Sequence, residues 1–402
     1  MEFLEFLNES VTPYHTVQSL KRILEPAGAG IKLFERGGAL IAVRLPKQAC
    51  SDSKFRIALA HTDFPTLKIT PNPGAAAAGV QTLHPEIYGS PIYTSWLDRD
   101  LGYAGLLAYE QGGEVRTKLF RGDKLVRIPQ LAVHLNRGVN QDGLKVNPQT
   151  DLNALWTANG GARFADVLQC EIPEGGRLLD FDVQLFDAQP AQWGGLEDEW
   201  IYSGRLDNLS SCHAVAEALA KAPAPEKDFV VAAFFNNEEV GSTTREGAAG
   251  SFLKNVLEEV FATHLSVVCN ALAGLLSSSL ALSIDMAHAE HPSFPQKHDL
   301  NHAPILGQGI VLKTNSQKRY ASDVLSNAQF KLLCEKAGVP FQTFVMRNDM
   351  PCGSTVGPAV SAALGIPTVD IGEPMLSMHS IREMTAVKDH QSMIRLVSAF
   401  YK

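Results

Sequence analysis

The second half of the chain alternates short apolar strands with helices, and no other feature of the sequence restricts the fold as much. From Trp200 onward, Leu209–Ala220 reads as a helix, Phe229–Phe235 as an apolar strand and Gly247–Phe261 as a second helix. Leu280–Ile284 follows as a strand, and Ser326 is placed to cap a helix that carries Phe330, Leu333 and Ala337 and stops at Gly338. Phe341–Val345 and Thr368–Ile371 are further strands, separated by a helix over Val356–Leu364 that Gly365 closes. Strands that are apolar along their whole length and are spaced by helices are covered on both faces. This predicts an α/β fold with a mainly parallel sheet flanked by helices.

The start of the chain completes that domain. Two helices joined by a turn at Ser10–Pro13 are followed by strands over Ile41–Leu45 and Phe55–Ala60. Between Pro71 and Glu199 the texture changes. Proline and glycine punctuate short runs such as Gln81–Leu83, Ile92–Thr94, Gly102–Tyr109 and Val115–Leu119, which read as a β-rich insertion with a mobile stretch over Asn140–Asn159. The division expected is therefore one α/β domain from residues 1–70 and 200–402, interrupted by a β-rich domain over 71–199. A chain of 402 residues is long enough for two such domains.

Composition excludes several function classes. A formal charge of −8 opposes nucleic-acid binding, which needs a basic face. The six cysteines are scattered without a CxxC pair, as reduced thiols of a cytoplasmic protein are. The N-terminal MEFLEFLNES is acidic where a signal peptide is basic. The most apolar stretch, Leu265–Ile284, is interrupted by Asn270 and Ser277–Ser279 and reads as a helix followed by a buried strand, not a membrane span.

Placed on this reading, the imidazole and carboxylate side chains fall at strand ends. His61 and Asp63 follow the strand Phe55–Ala60, Glu238 and Glu239 follow Phe229–Phe235, and Asp285 follows Leu280–Ile284. His379 lies in the loop after Thr368–Ile371, and Asp207 just precedes a helix. Open parallel sheets gather ligands outside the carboxyl ends of their strands. Two histidines with several carboxylates suit zinc, with manganese or cobalt as alternatives. Five ligands exceed what one catalytic zinc needs and suit two divalent ions sharing a carboxylate. Asp63 is positioned to orient His61, and of the adjacent Glu238 and Glu239 one can ligate while the other takes a proton from water. By contrast, Cys352 reads as a small packing thiol, the cluster His288, His291, His298 and His302 as a loop, and Asp98-Arg99-Asp100 as an internal ion-pair turn.

The segments AHTDFPTLKI (60–69), SWLDRDLGYAG (95–105), IPQLAVHLNR (128–137), GRLDNLSSC (204–212), FFNNEEVGS (234–242), SIDMAHAEHPSF with KHDLNHAP (283–304), and DMPCGSTVGP with PMLSMHSIRE (349–383) carry a closer likeness. Their order and wording resemble the aspartyl aminopeptidase family of dinuclear zinc metallopeptidases. The resemblance implies that Asp207 bridges two metals, that His61 and Asp285 complete one site, and that Glu239 and His379 complete the other. It makes Glu238 the general base and Asp63 the orienter of His61. It also implies that residues 71–199 form a dimerisation domain, that dimers assemble into a dodecamer, and that His134 reaches a neighbouring subunit's site. Taken alone, Lys313 beside Lys318 and Arg319 reads as a solubilising charge; the resemblance makes it the partner of an acidic substrate side chain. Met378 and the backbone at Gly353, entering a helix, join it as substrate-binding candidates. The function expected is removal of N-terminal residues, Asp or Glu among them, from peptides. A deacylase of N-acyl amino acids and a non-catalytic shell are the rival readings.

Overall fold

The computed structural model describes residues 1–28, 30–158, 160–264 and 271–402. The chain divides into two compact units, residues 1–63, 191–378 and 383–402 in the first, and 64–190 with 379–382 in the second.

The first unit is built on an eight-stranded sheet. Its order is Ile31–Arg36, Ala39–Arg44, Phe229–Phe235, Phe55–His61, Leu280–Ile284, Thr368–Gly372, Ile310–Thr314, Phe341–Val345. The four central strands, Phe229–Phe235, Phe55–His61, Leu280–Ile284 and Thr368–Gly372, run parallel. Antiparallel pairs flank them, Phe229–Phe235 with Ala39–Arg44 on one side and Ile310–Thr314 with Thr368–Gly372 on the other. The sheet is thus mixed: parallel at its centre, where the helical crossovers lie, and antiparallel where a short hairpin or a reversed strand adds an edge. Every residue of Phe229–Phe235 is buried, as a strand covered on both faces must be. One layer of core fills against this sheet from Phe252, Leu253, Val256, Leu257, Val260 and Phe261 of the helix Phe252–His264. That helix starts five residues later than the sequence predicts, because Gly247 and Gly250 sit in turns whose backbone approaches leave no room for a side chain. The helix predicted within 265–279 begins, for the described residues, at Ala271; residues 265–270, with Cys269, lie outside the described part.

The helix Val324–Ala337 is capped by Asp323, not by Ser326. The Asp323 carboxylate accepts from Leu325 N and Ser326 N, and Ser326 Oγ answers from the third helical position, which completes a capping box. A smaller five-stranded sheet, Gln192–Gly194, Trp200–Ser203, Glu383–Ala386, Pro374–Leu376 and Ala287–His288, also belongs to this unit.

The second unit holds a six-stranded antiparallel sheet in the order Glu114–Arg121, Leu101–Gln111, Arg177–Asp187, Thr66–Ala77, Val80–Tyr88, Ala154–Ala158. Its first strand begins at Thr66, ahead of the expected boundary at Pro71. Its core gathers Leu67, Tyr103, Leu107, Val183 and Leu185 under the helix Phe164–Cys170. Ile92–Thr94 is not a strand; Tyr93–Trp96 forms a 3-10 turn. The stretch expected to be a mobile loop carries a helical turn, Val139–Asp142, and the edge strand Ala154–Ala158. Asp98, Arg99 and Asp100 do not pair with one another: Arg99 reaches Asp187 at 2.6 Å and Asp100 reaches Arg127 at 3.0 Å.

Candidate metal centre

In the first unit, the carboxyl ends of the central parallel strands bring His61, Asp207, Glu238, Glu239 and Asp285 together. His61 is the last residue of its strand and is buried. Its Nδ1 lies 2.9 Å from the main-chain oxygen of Asp63, an atom that can only accept. Nδ1 therefore carries the proton, and Nε2 faces the cluster. Cys212 donates from Sγ to the carbonyl of His61 at 3.0 Å, and burial pushes that thiol's pKa up.

The carboxylate of Asp63 has a role that the sequence did not reveal. It stands 3.4 Å from His61 Nδ1, beyond a good charged hydrogen bond. Its two oxygens instead accept from the backbone amides of Glu238 and Glu239, each at 3.1 Å. Asp63 thus orients His61 through its main chain and the two glutamates through its side chain.

Asp207 stands at the start of the helix Leu206–Lys221, with non-helical φ and ψ and a cis peptide bond to Asn208. Its amide donates to Glu383 Oε2, and Asn208 Nδ2 donates to the carbonyl of Ile284, next to Asp285. Asp285 N in turn donates to Ile371 O. Arg205 and Asn237, just ahead of Asp207 and Glu238, have φ of 65° and 63°, in the left-handed region that non-glycine residues enter chiefly where surrounding contacts impose it.

Distances in the cluster match ligand spacing better than hydrogen bonding. His61 Nε2 is 3.5 Å from Asp207 Oδ1 and 3.6 Å from Asp285 Oδ1. Charged hydrogen bonds sit near 2.7–2.9 Å, whereas ligand atoms on a tetrahedral zinc with bonds of about 2.1 Å are roughly 3.4 Å apart. One ligand atom from each of His61, Asp207 and Glu239 lies within 4.8 Å of the others, and among the described residues no other group of three or more such side chains is so arranged. The electrostatics agree. Burial, with Asp285, Asp63 and Asp207 adding to it against the opposing pull of His61, raises Glu238 to a pKa of about 8. Burial opposes a charge on His61, yet the carboxylates of Asp207, Asp285 and Asp63 outweigh it and raise the imidazole well above its usual value. A buried pocket with this excess of negative charge is chemically completed by cations. The donor set, imidazole nitrogen and carboxylate oxygen, suits zinc.

The remaining candidates are placed as follows. Lys313 is buried at 2% exposure, which removes the solubilising reading. Its Nζ donates to Met286 O at 3.1 Å and lies 3.8 Å from Asp285 Oδ2. Gly353 is exposed in the loop ahead of the helix Val356–Leu364, with open space where a side chain would be, and Met378 is half-buried. His379 groups with the second unit; its φ is 67° and its Nδ1 is 3.1 Å from Ser90 O. His134 is exposed in the second unit. The loop histidines do not form a ligand set: His302 pairs with Asp299, His291 Nδ1 accepts from Ser293 N, and His288 lies edge-on to Phe344. Cys352 is half-buried, and the five described cysteines are free.

A buried imidazole–carboxylate centre at the carboxyl edge of a parallel sheet, with a glutamate held beside it, is the arrangement of a metal-dependent hydrolase. Residues 6–401 match the family described as Aminopeptidase I zinc metalloprotease (M18). A relative in Streptomyces avermitilis, named Probable M18 family aminopeptidase 2, is 42% identical over 410 residues, covering 96% of this chain and 94% of that protein. A solved structure, described as a cryo-EM structure of the Ape4 and Nbr1 complex, superposes with a TM-score of 0.94 at 32% identity, over 99% of this chain and 84% of that one. Another, described as the S. cerevesiae mApe1 dodecamer, gives 0.85 at 26% identity over 99% and 95%. The chain belongs to the M18 family of zinc aminopeptidases. It hydrolyses peptides at their N-termini, and the deacylase and shell readings fall away.

Proposed function

We propose that the protein releases N-terminal residues, acidic ones preferred, with a pair of zinc ions and Glu238 as general base. The observation that carries this reading is the spacing of His61 Nε2 from Asp207 and Asp285, 3.5 and 3.6 Å, with Glu238 fixed alongside by Asp63. His61, Asp207 and Asp285 would hold one ion. Assignment of Glu239 with His379 to a second, bridged by Asp207, rests on the sequence resemblance. When bound, the ions supply Lewis-acid polarisation of the scissile carbonyl and a water of lowered pKa.

The chain's own groups do the rest. Asp63 holds the Glu238 amide, which fixes the backbone from which that carboxylate extends. Glu238 takes a proton from the attacking water and delivers it to the departing amine, one site serving both transfers. The N–H on His61 Nδ1, fixed by the Asp63 carbonyl, keeps Nε2 available as a ligand atom. Lys313, its ammonium beside Asp285, is the cation proposed to favour an acidic side chain. Gly353 and Met378 are proposed to line the substrate's path, and His134 to act in a neighbouring copy. Exposed Leu131, Val133 and Leu135 around His134 support self-association through the second unit, as a dimer and then a dodecamer. No helix among the described residues is long and apolar enough to cross a membrane, which accords with a proposed cytoplasmic location.

The test is turnover of free-amine Asp, Glu, Leu, Ala and Lys substrates by metal-stripped protein resupplied with zinc, manganese or cobalt. Zinc-dependent release of Asp or Glu ahead of the neutral residues is the expected result. Release of neutral residues only would overturn the role of Lys313, and hydrolysis requiring an N-acetylated substrate would overturn the aminopeptidase mechanism.

A further inference from the structure

The turn that presents Glu238 and Glu239 is held from two sides. Asp63 grips it from within the cluster, as described. On the far side stands Glu246, eight residues beyond Glu238 and outside the ligand set. Its Oε2 accepts from Asn236 Nδ2 and from Gly38 N, both at 2.9 Å. Asn236, only 5% exposed, also donates its own amide to Glu246 O at 3.1 Å. The Asn236 side-chain oxygen accepts from Asn237 N, the residue just before Glu238, at 2.9 Å. Thr244 Oγ1 ties the two arms of the turn by donating to Asn237 Oδ1 at 2.9 Å.

Gly38 links this grip to the first ligand. Its carbonyl accepts from Thr62 Oγ1 at 2.6 Å, and Thr62 sits between His61 and Asp63. The route from Glu246 through Gly38 to Thr62 therefore meets the route through Asn236 and Asn237 at the same cluster. The hairpin that delivers Gly38 N is shaped for it. A Cβ on Gly37 would come within 2.2 Å of Glu246 Oε1, and one on Gly38 within 2.5 Å of Asn236 Nδ2. Gly37 also has a φ of 58°. Two successive glycines allow the carboxylate and the amide to approach the backbone closely.

We propose that Glu246 is a positioning residue for the proposed base: through Asn236 and Gly38 it fixes the turn Asn236–Glu246, and so the direction of Glu238 relative to His61. The assignment of Glu238 rests on the reading above; the turn's rigidity does not. Glu246 touches no reacting atom, so its removal changes the rate of the chemical step more than substrate binding.

The experiment compares wild type with Glu246→Ala, Glu246→Gln and Asn236→Ala in kcat, KM, zinc content and amide hydrogen exchange. Glu246→Ala should lower kcat roughly 10- to 100-fold, since small misplacements of a catalytic group cost that much. KM should stay within about threefold and zinc content should be unchanged. Exchange in a peptide covering residues 236–246 should speed up by about tenfold or more, while the strand Phe229–Phe235 keeps its protection. Glu246→Gln, whose single amide oxygen can still accept from both donors but carries no charge, should fall between. Asn236→Ala should resemble Glu246→Ala, and the double variant should be little worse than either, as residues on one path are. Wild-type kcat and protection in Glu246→Ala would overturn the proposal, as would a loss that follows zinc content or extends to the strand. A wild-type protein without turnover would count against Glu238 as a base, and the exchange measurement would still decide whether Glu246 holds the turn.

Discussion

At the scale of single residues, the centre depends on each polar group having one task. Asp63 shows the economy of the arrangement: its carbonyl sets the His61 tautomer, and its two carboxylate oxygens align the amides of Glu238 and Glu239. The sequence places Asp63 two residues from His61 and so suggests an imidazole partner, but it cannot show that the carboxylate reaches the 3-10 turn at Glu238, 175 residues away. Lys313 was similarly ambiguous, because burial depends on neighbours that a local run of basic residues does not reveal. Proton transfer by a positioned side chain contributes about 10²- to 10⁴-fold, so Glu238→Gln should lose roughly that much kcat. Zinc content measured on the same sample should match wild type, since Glu238 is not among the assigned ligands. Retained turnover with full zinc would remove Glu238 from its role.

At the scale of elements, strand ends and helix starts were legible where hydrophobic period and turn residues agree. The strands Phe229–Phe235, Leu280–Ile284 and Phe341–Val345 and the helix Val356–Leu364 have the bounds that their apolar runs and flanking glycine imply. The long antiparallel strands Thr66–Ala77 and Arg177–Asp187 were not, because proline, glycine and charge interrupt any alternation within them. Loop anchoring was also hidden. Asp389, in the first turn of the helix Val387–Phe400, accepts from Gly307 N at 2.6 Å and Gly309 N at 2.8 Å. Burial raises its pKa to about 7, despite the lowering by those two amides. An unfolded aspartate titrates near 3.9, so between about pH 4 and pH 7 the folded state holds a proton that the unfolded state has lost. Stability from this group therefore falls as pH rises through that window. Asp389→Asn keeps an acceptor for one of the two glycines, sets an NH2 against the other, and cannot ionise. Its free energy of unfolding relative to wild type, read by denaturant titration, should be higher at pH 8 than at pH 5, by an amount on the order of a few kcal/mol at most. An equal difference at both values would show that Asp389 does not titrate there.

At the scale of the whole molecule, both chain ends contribute to one sheet and the middle forms a separate β unit, an organisation visible in the change of texture after residue 70. What the texture could not show is the exact partition. His379–Arg382 groups with the β unit, a return of four residues that is too short to leave a change of composition. The parallel centre of the large sheet followed from the strand–helix rhythm, while its antiparallel edges did not, since edge pairing leaves no periodic mark. The exposed run Leu131, Val133 and Leu135 supports assembly through the β unit. Leu135→Asp should lower the mass measured by light scattering toward that of a smaller species, and an unchanged mass would place the contact elsewhere. The two-metal account itself meets its most direct test in a zinc titration of the metal-stripped protein, with bound zinc and aminopeptidase turnover followed together. It predicts that turnover reaches its plateau only as the second equivalent per chain binds. A plateau at one equivalent, with no gain from further zinc, would contradict it.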